Sequence, residues 1–281
     1  MSYKDIVVHV DATERSDARV VLAARIAKKH QAHLTGVYVI EPDPVDPLLS
    51  TGVPFGAGQP GGKASSKSRT LAAHAERHFN ETLAADQVEG LFQTYNGLPE
   101  DIVPRRARFA DLLIASQSNP EDKIDFGSRV ATNTVVGAGR PALVIPYAGT
   151  YSAAGSRIVV AWNNTREAAR VLNDALPLLT LAEKVVVLAV NPPEEPGTDS
   201  PIGGGADVVQ HLARHGVKAE SARIEAHEIA VGDTLLNRAF DLGADLLVSG
   251  AYGHSQLREL LLGGVTRDLF DRMTLPVFMS H

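Results

Sequence analysis

The chain states its plan twice, and this doubling limits what it can fold into more than any other feature. Asp5-Ile6-Val7-Val8 returns as Arg157-Ile158-Val159-Val160, and Ala110-Asp111-Leu112-Leu113-Ile114 returns as Ala244-Asp245-Leu246-Leu247-Val248. Arg140-Pro141-Ala142-Leu143-Val144 corresponds in the same way to Thr274-Leu275-Pro276-Val277-Phe278. In each copy, short aliphatic runs alternate with stretches of helical periodicity. Unbroken aliphatic runs suit strands buried on both faces, and parallel strands need long crossovers, which helices supply. The economical reading is α/β, with two copies of a β-α-β-α-β-α-β-α-β unit. Each copy is an open five-stranded parallel sheet with helices on both faces. A length of 281 residues matches two domains of roughly 140 residues each. We place them at 1–147 and 156–281, with a linker around 148–156.

Within the first copy, a strand is expected at 5–10. A helix follows, in which Val20, Val21, Ala24, Ile26 and Ala27 recur at helical spacing through about His30. A second strand is expected at 33–40. The segment 41–68 changes character, with Pro42, Pro44, Pro47, Pro54 and Pro60 among several glycines, and reads as a loop rather than a core element. Helices are then expected at 70–85, 99–109 and 127–137, and strands at 90–95, 110–115 and 141–146. In open sheets of this kind ligands sit beyond the carboxyl ends of the strands. That points to the segments after Val10, Ile40 and Ala115, and in the second copy to those after Trp162, Val190 and Gly250.

Several function classes are excluded. There is no cysteine, so disulfides and thiol catalysis drop out. A formal net charge of -6, without a Lys/Arg stripe, argues against a nucleic-acid binder. No apolar run approaches the roughly 20 residues that cross a bilayer. The N-terminus runs into a strand without a leader, so a cytoplasmic protein is expected. Gly61-Gly62-Lys63 imitates a P-loop, but Ala57 and Ala64 stand where a glycine and a hydroxyl residue are needed. His74/His78 and His211/His215 are each one helical turn apart, a spacing that can hold zinc. Without an identifiable third ligand they read as solvated helix faces. No nucleophile elbow or paired acid and base can be placed.

The stretch 249–266 carries the strongest site signal. Gly250, Gly253 and Gly263 have two and then nine residues between them, directly after the strand at 244–248. Gly264, Val265 and Thr266 then open a helix, and His254 stands beside Gly253. Glycines let backbone N–H groups approach an anion, and a helix start adds unpaired N–H groups and the positive end of a dipole.

This spacing resembles the motif of the universal stress protein family: glycine, two residues, glycine, nine residues, then glycine followed by serine or threonine. Gly264 departs from it, standing where the hydroxyl residue belongs. The resemblance covers nearly the whole chain and is to a tandem two-domain member. It implies a Rossmann-like, adenine-nucleotide alpha-hydrolase-like fold and a stress-response regulator that binds ATP or a related adenine nucleotide. It places the phosphates on the glycine loop, and the adenine and ribose against the ends of strands one and two. Asp11 occupies the family's aspartate position in the first copy, and Asn163 is its counterpart in the second. Val190-Asn191 would offer backbone groups to the adenine edge. In the first copy the loop at 116–128 carries Pro120 and the acidic Glu121, Asp122 and Asp125, which repel a polyphosphate.

The expected site is therefore in the second copy: Asn163, Val190, Gly250, Gly253, His254, Gly263, Gly264, Val265 and Thr266. Mg²⁺ is expected with the triphosphate, since few cations line the site. The copies are expected to pack as an intramolecular pseudo-dimer, with room for a homodimer or a protein partner. A nucleotide-independent scaffold joined through its closing strands is the competing reading. No general base can be named, so slow ATP hydrolysis is not assigned.

Overall fold

Strands form where the aliphatic runs predict them. In a computed structural model of the chain, residues 2–41, 65–117, 127–192, 204–251 and 264–281 are described. The first unit runs β1 (Asp5–Val10), α1 (Glu14–His30), β2 (His33–Ile40), α2 (Ser66–Asp86), β3 (Gly90–Asn96), α3 (Pro99–Ala107), β4 (Leu112–Ser116), α4 (Gly127–Gly137) and β5 (Ala142–Ile145). The second runs β6 (Arg157–Ala161), α5 (Arg166–Asp174), α6 (Leu176–Leu179), β7 (Lys184–Val190), α7 (Gly205–Arg214), β8 (Ala219–Ile224), α8 (Val231–Asp241), β9 (Leu246–Gly250), α9 (Gly264–Arg272) and β10 (Val277–Ser280).

Most boundaries lie within two residues of expectation, and two features differ further. The helix predicted to start at residue 70 starts at Ser66, because the Ser65 hydroxyl accepts from the Ser68 N–H at 3.2 Å and caps it. The short α6 was not foreseen. Pro177 sits in its first turn, where the missing N–H of a proline costs nothing.

The described strands form one sheet in the order β3-β2-β1-β4-β5-β10-β9-β6-β7-β8. Pairing is parallel within each unit and antiparallel where β5 meets β10. At that seam Val144 faces Val277 and Leu143 faces Phe278. Residues at equivalent places in the repeat exchange partners, which is the register of a pseudo-twofold axis. The closing strands thus join the two copies, as expected for an intramolecular pseudo-dimer. Because the units run antiparallel, their carboxyl-terminal strand ends open in opposite directions.

Side chains alternate between the two faces of the sheet. Ile6 and Val8 enter the core under α1, α2, α5, α6 and α7, while Val7 and Leu113 enter the core under α3, α4, α8 and α9. Polar contacts cross between the units. Tyr3 Oη donates to the Asp174 carbonyl at 2.8 Å, and Gln117 Nε2 donates to the Phe270 carbonyl of α9 at 2.6 Å. No helix among the described residues is long and apolar enough to cross a membrane.

Candidate functional site

The order β10-β9-β6-β7-β8 reverses between β6 and β9, and open parallel sheets place their ligand crevices at such a point. A cleft of about 170 Å³ lies there. Trp162 and Asn163 after β6, Val190 at the end of β7 and Ser249 and Gly250 at the end of β9 line it. Gly264, Val265 and Thr266 close it from the first turn of α9, and Val231 and Leu235 of α8 add apolar wall. Six of the expected residues therefore share one cavity: Asn163, Val190, Gly250, Gly264, Val265 and Thr266. Gly253, His254 and Gly263 lie outside the described residues.

Local chemistry sets the β6 to α5 turn. Asn164 adopts φ 56, a left-handed conformation that asparagine tolerates. Thr165 caps α5, its hydroxyl accepting from Ala168 N at 3.3 Å while donating to Asn163 Oδ1 at 2.8 Å. The amide oxygen of Asn163 is thus engaged within its own turn. Its Nδ2 donates to no described residue, so Asn163 faces the cleft as a hydrogen-bond donor. Asn191 differs from expectation. Its N–H donates to the Ile224 carbonyl at 2.8 Å and its side chain exchanges two hydrogen bonds with Ala226, so it fastens the end of β7 instead of offering its N–H to a ligand. Val190 alone reaches the cleft.

Gly250 is required by close approach. A Cβ there would come 2.8 Å from the Glu167 carbonyl carbon and 3.0 Å from the Ala168 nitrogen. Both are backbone atoms of the first turn of α5 and cannot swing away. Gly250→Ala is expected to lower stability by about 1–3 kcal/mol through overpacking and to narrow the cleft. Equilibrium urea unfolding checks the first effect, and a variant as stable as wild type would contradict it.

That approach also buries Glu167, which sequence reasoning missed. It is 5% exposed and lines the cleft. Burial pushes its carboxyl up, but the hydrogen bond from Arg166 Nε at 2.5 Å and the Arg166 charge outweigh this and hold it below its ordinary value. Glu167 is therefore ionised at neutral pH. It is the only ionisable side chain among the described residues lining the cleft. A glutamate in the first helical turn is common enough to pass unnoticed in a sequence.

The first unit is built differently at the corresponding place, between the ends of β1 and β4. Arg19 of α1 lies there at 1% exposure. Its Nε donates to the His9 carbonyl at 2.6 Å, and its guanidinium donates to Asp11 Oδ2 at 2.6 Å, Ser16 Oγ at 3.2 Å and Ser116 Oγ. Burial pushes the Asp11 carboxyl up, but the Arg19 charge, with help from His9 and the Thr13 hydroxyl, holds it well below the usual carboxylate range. In the repeat, Arg19, Ser16 and Ser116 correspond to Val171, Ala168 and Gly250. One unit bridges its two strand ends with an internal cation, and the other has only uncharged residues at the equivalent positions. Asp11, the expected family aspartate, is already paired.

Residues 156–281 match the model of the universal stress protein family. A universal stress protein from Archaeoglobus fulgidus DSM 4304 is similar across 98% of this chain and 95% of its own, at 13% identity and a TM-score of 0.72. A functionally unknown protein from Pseudomonas aeruginosa PAO1 is similar across 99% of this chain and 92% of its own, at 14% identity and a TM-score of 0.60. No curated protein matches the chain. The whole-chain likeness extends the two-unit fold to both of these structures, and the family match falls on the unit with the open cleft. The second unit, residues 156–281, thus matches the universal stress protein family, and the chain as a whole shares the two-unit fold of these structures.

Proposed function

We propose that the chain is a stress-response regulator that binds ATP or a related adenine nucleotide in its second unit. The observation that carries this reading is convergence. Asn163, Val190, Gly250 and the start of α9 come from four separate stretches of sequence and line one cleft at the sheet's reversal point. Trp162, Leu188, Val190, Val231 and Leu235 form an apolar wall suited to a purine. Asn163 Nδ2 supplies a donor toward ribose or base. The first turn of α9 supplies the N–H groups of a helix start and the positive end of a dipole for phosphate. Binding rather than turnover is the proposed activity. Occupancy would change the surface offered to a protein partner or second copy in the cytoplasm.

With no Lys or Arg among the described lining residues and Glu167 ionised, the charge of a polyphosphate needs a counter-ion. Mg²⁺ therefore belongs to the proposed complex. Titrating nucleotide-free protein with Mg-ATP is expected to give saturable binding at one site per chain. No affinity at millimolar ligand would overturn the reading and favour the nucleotide-independent scaffold. Glu167→Gln is expected to tighten ATP by about fivefold, the size of a like-charge contact at roughly 4 Å screened as in water, and to leave adenosine nearly unchanged. At Gly264 nothing described lies within 4 Å of where a Cβ would stand, so Gly264→Ser is expected to fit and to add the family's hydroxyl to the phosphate site.

A further inference from the structure

The α7 helix carries two imidazoles that the fold has already brought together. His211 and His215 are one turn apart, with ring centroids 4.8 Å apart and planes tilted by 59°. His211 Nε2 is buried from solvent and has no hydrogen-bond partner, although buried polar nitrogens in folded proteins are nearly always satisfied. His215 caps the helix end and is exposed, so the pair can be reached from outside.

We propose that His211 and His215 form a two-imidazole clamp for a borderline divalent transition cation such as Zn²⁺, Cu²⁺ or Ni²⁺. Imidazole nitrogen suits these ions, whereas Mg²⁺ and Ca²⁺ prefer oxygen ligands. Side chains four residues apart on a helix are neighbours, so one ion can bridge both rings with little change of backbone. No group of three or more ligating side chains occurs among the described residues, so water completes the coordination sphere and the site stays exchangeable. Such an ion would tie together the last turn of α7, which packs on β7 and β8.

The first unit supplies an internal control. His74 and His78 have the same spacing on α2, but His78 Nε2 lies 3.6 Å from Asp17 Oδ1 of α1. Among the described residues no ring contact joins His78 to His74. His78 Nε2 is likewise buried without a hydrogen-bond partner, so what sets the α7 pair apart is the ring contact between His211 and His215.

The test uses the full chain without an affinity tag, titrated with Zn²⁺ and separately with Cu²⁺ in a non-coordinating buffer at neutral pH. One equivalent is expected to bind, with Mg²⁺ neither binding there nor competing. His211→Gln and His215→Gln are each expected to weaken binding by at least the roughly tenfold that even an outer-shell change costs a metal site, while His74→Gln leaves it unchanged. In the wild-type protein, Zn²⁺ is expected to shift the imidazole nitrogen resonances of His211 and His215 and spare those of His74 and His78. This keeps the test decisive should a variant fold poorly. Wild-type affinity in either clamp variant, no stoichiometric binding, or Zn²⁺ shifts at His74 and His78 instead would overturn the proposal.

Discussion

Arg19→Met is expected to cost the folded chain about 3–5 kcal/mol, the range for breaking a buried ion pair by removing one partner. Methionine keeps most of the side-chain volume, so the loss reports on charge and hydrogen bonding rather than on a cavity. Four groups each lose one hydrogen bond at once: the His9 carbonyl, the Asp11 carboxylate and the Ser16 and Ser116 hydroxyls. The Asp11 side chain is 31% exposed, so water relieves part of the stranded charge and the effect should fall toward the lower end. Urea unfolding should show a lower midpoint with an unchanged slope. A loss below about 1 kcal/mol, the size of one ordinary hydrogen bond, would mean that the guanidinium does not clamp the strand ends. Asp11→Asn should cost less, because the Thr13 contacts to Oδ1 can survive. The Asp11 carboxyl is depressed in the folded state, so its contribution is present above the unfolded value near pH 4 and is lost as pH falls below it. The gap between wild type and Asp11→Asn should therefore be full at neutral pH and narrow below about pH 4.

The second large effect is acid destabilisation at a higher pH. His9 is pulled from 6.5 to about 4, first by burial and then by the Arg19 charge, with Asp11 opposing. His30 is likewise lowered to about 4, by burial and then by Lys29 and Lys4. Between pH 6.5 and 4 each of these histidines takes up a proton when the chain unfolds and stays neutral while it is folded. The unfolded state then binds more protons, so stability falls as pH drops through that window and levels off below it. The shift corresponds to about 3 kcal/mol for His9. Urea midpoints measured at steps from pH 7 to pH 4 should fall steadily, and His9→Leu should remove roughly half of that slope. An unaltered slope in His9→Leu would place the acid sensitivity elsewhere. The carboxylate pair acts only at the acid end of this range, so the two effects separate on the pH axis.

The strands were legible because a parallel strand covered on both faces must be aliphatic along its whole length, as in Leu246-Leu247-Val248. The start of α2 was not, since Ser66, Lys67 and Ser68 read as loop until the Ser65 cap is seen. In the candidate site, Asn163, Val190, Gly250 and Gly264 to Thr266 were legible because strand ends and helix starts gather at the sheet's reversal whatever their neighbours are. Asn191 misled, because its hydrogen bonds to Ile224 and Ala226 depend on how β8 ends. Glu167 was invisible because its burial arises from the close approach of Gly250 in β9 to the first turn of α5, two segments far apart in sequence.

From the sequence alone follow the doubled α/β unit and the positions where a ligand could be met, because aliphatic periodicity and glycine spacing are local properties of the chain. What occupies the strand ends of the first copy was decided only in three dimensions. Arg19 reads as an ordinary helix-surface cation until β1 and β4 bring the His9 carbonyl, Asp11 and Ser116 around it. Val171 reads as an ordinary core residue until its repeat partner is seen bridging the strand ends. The physical reason is that a guanidinium is stable in the interior only when several distant acceptors converge on it, and that convergence is a property of the assembled sheet.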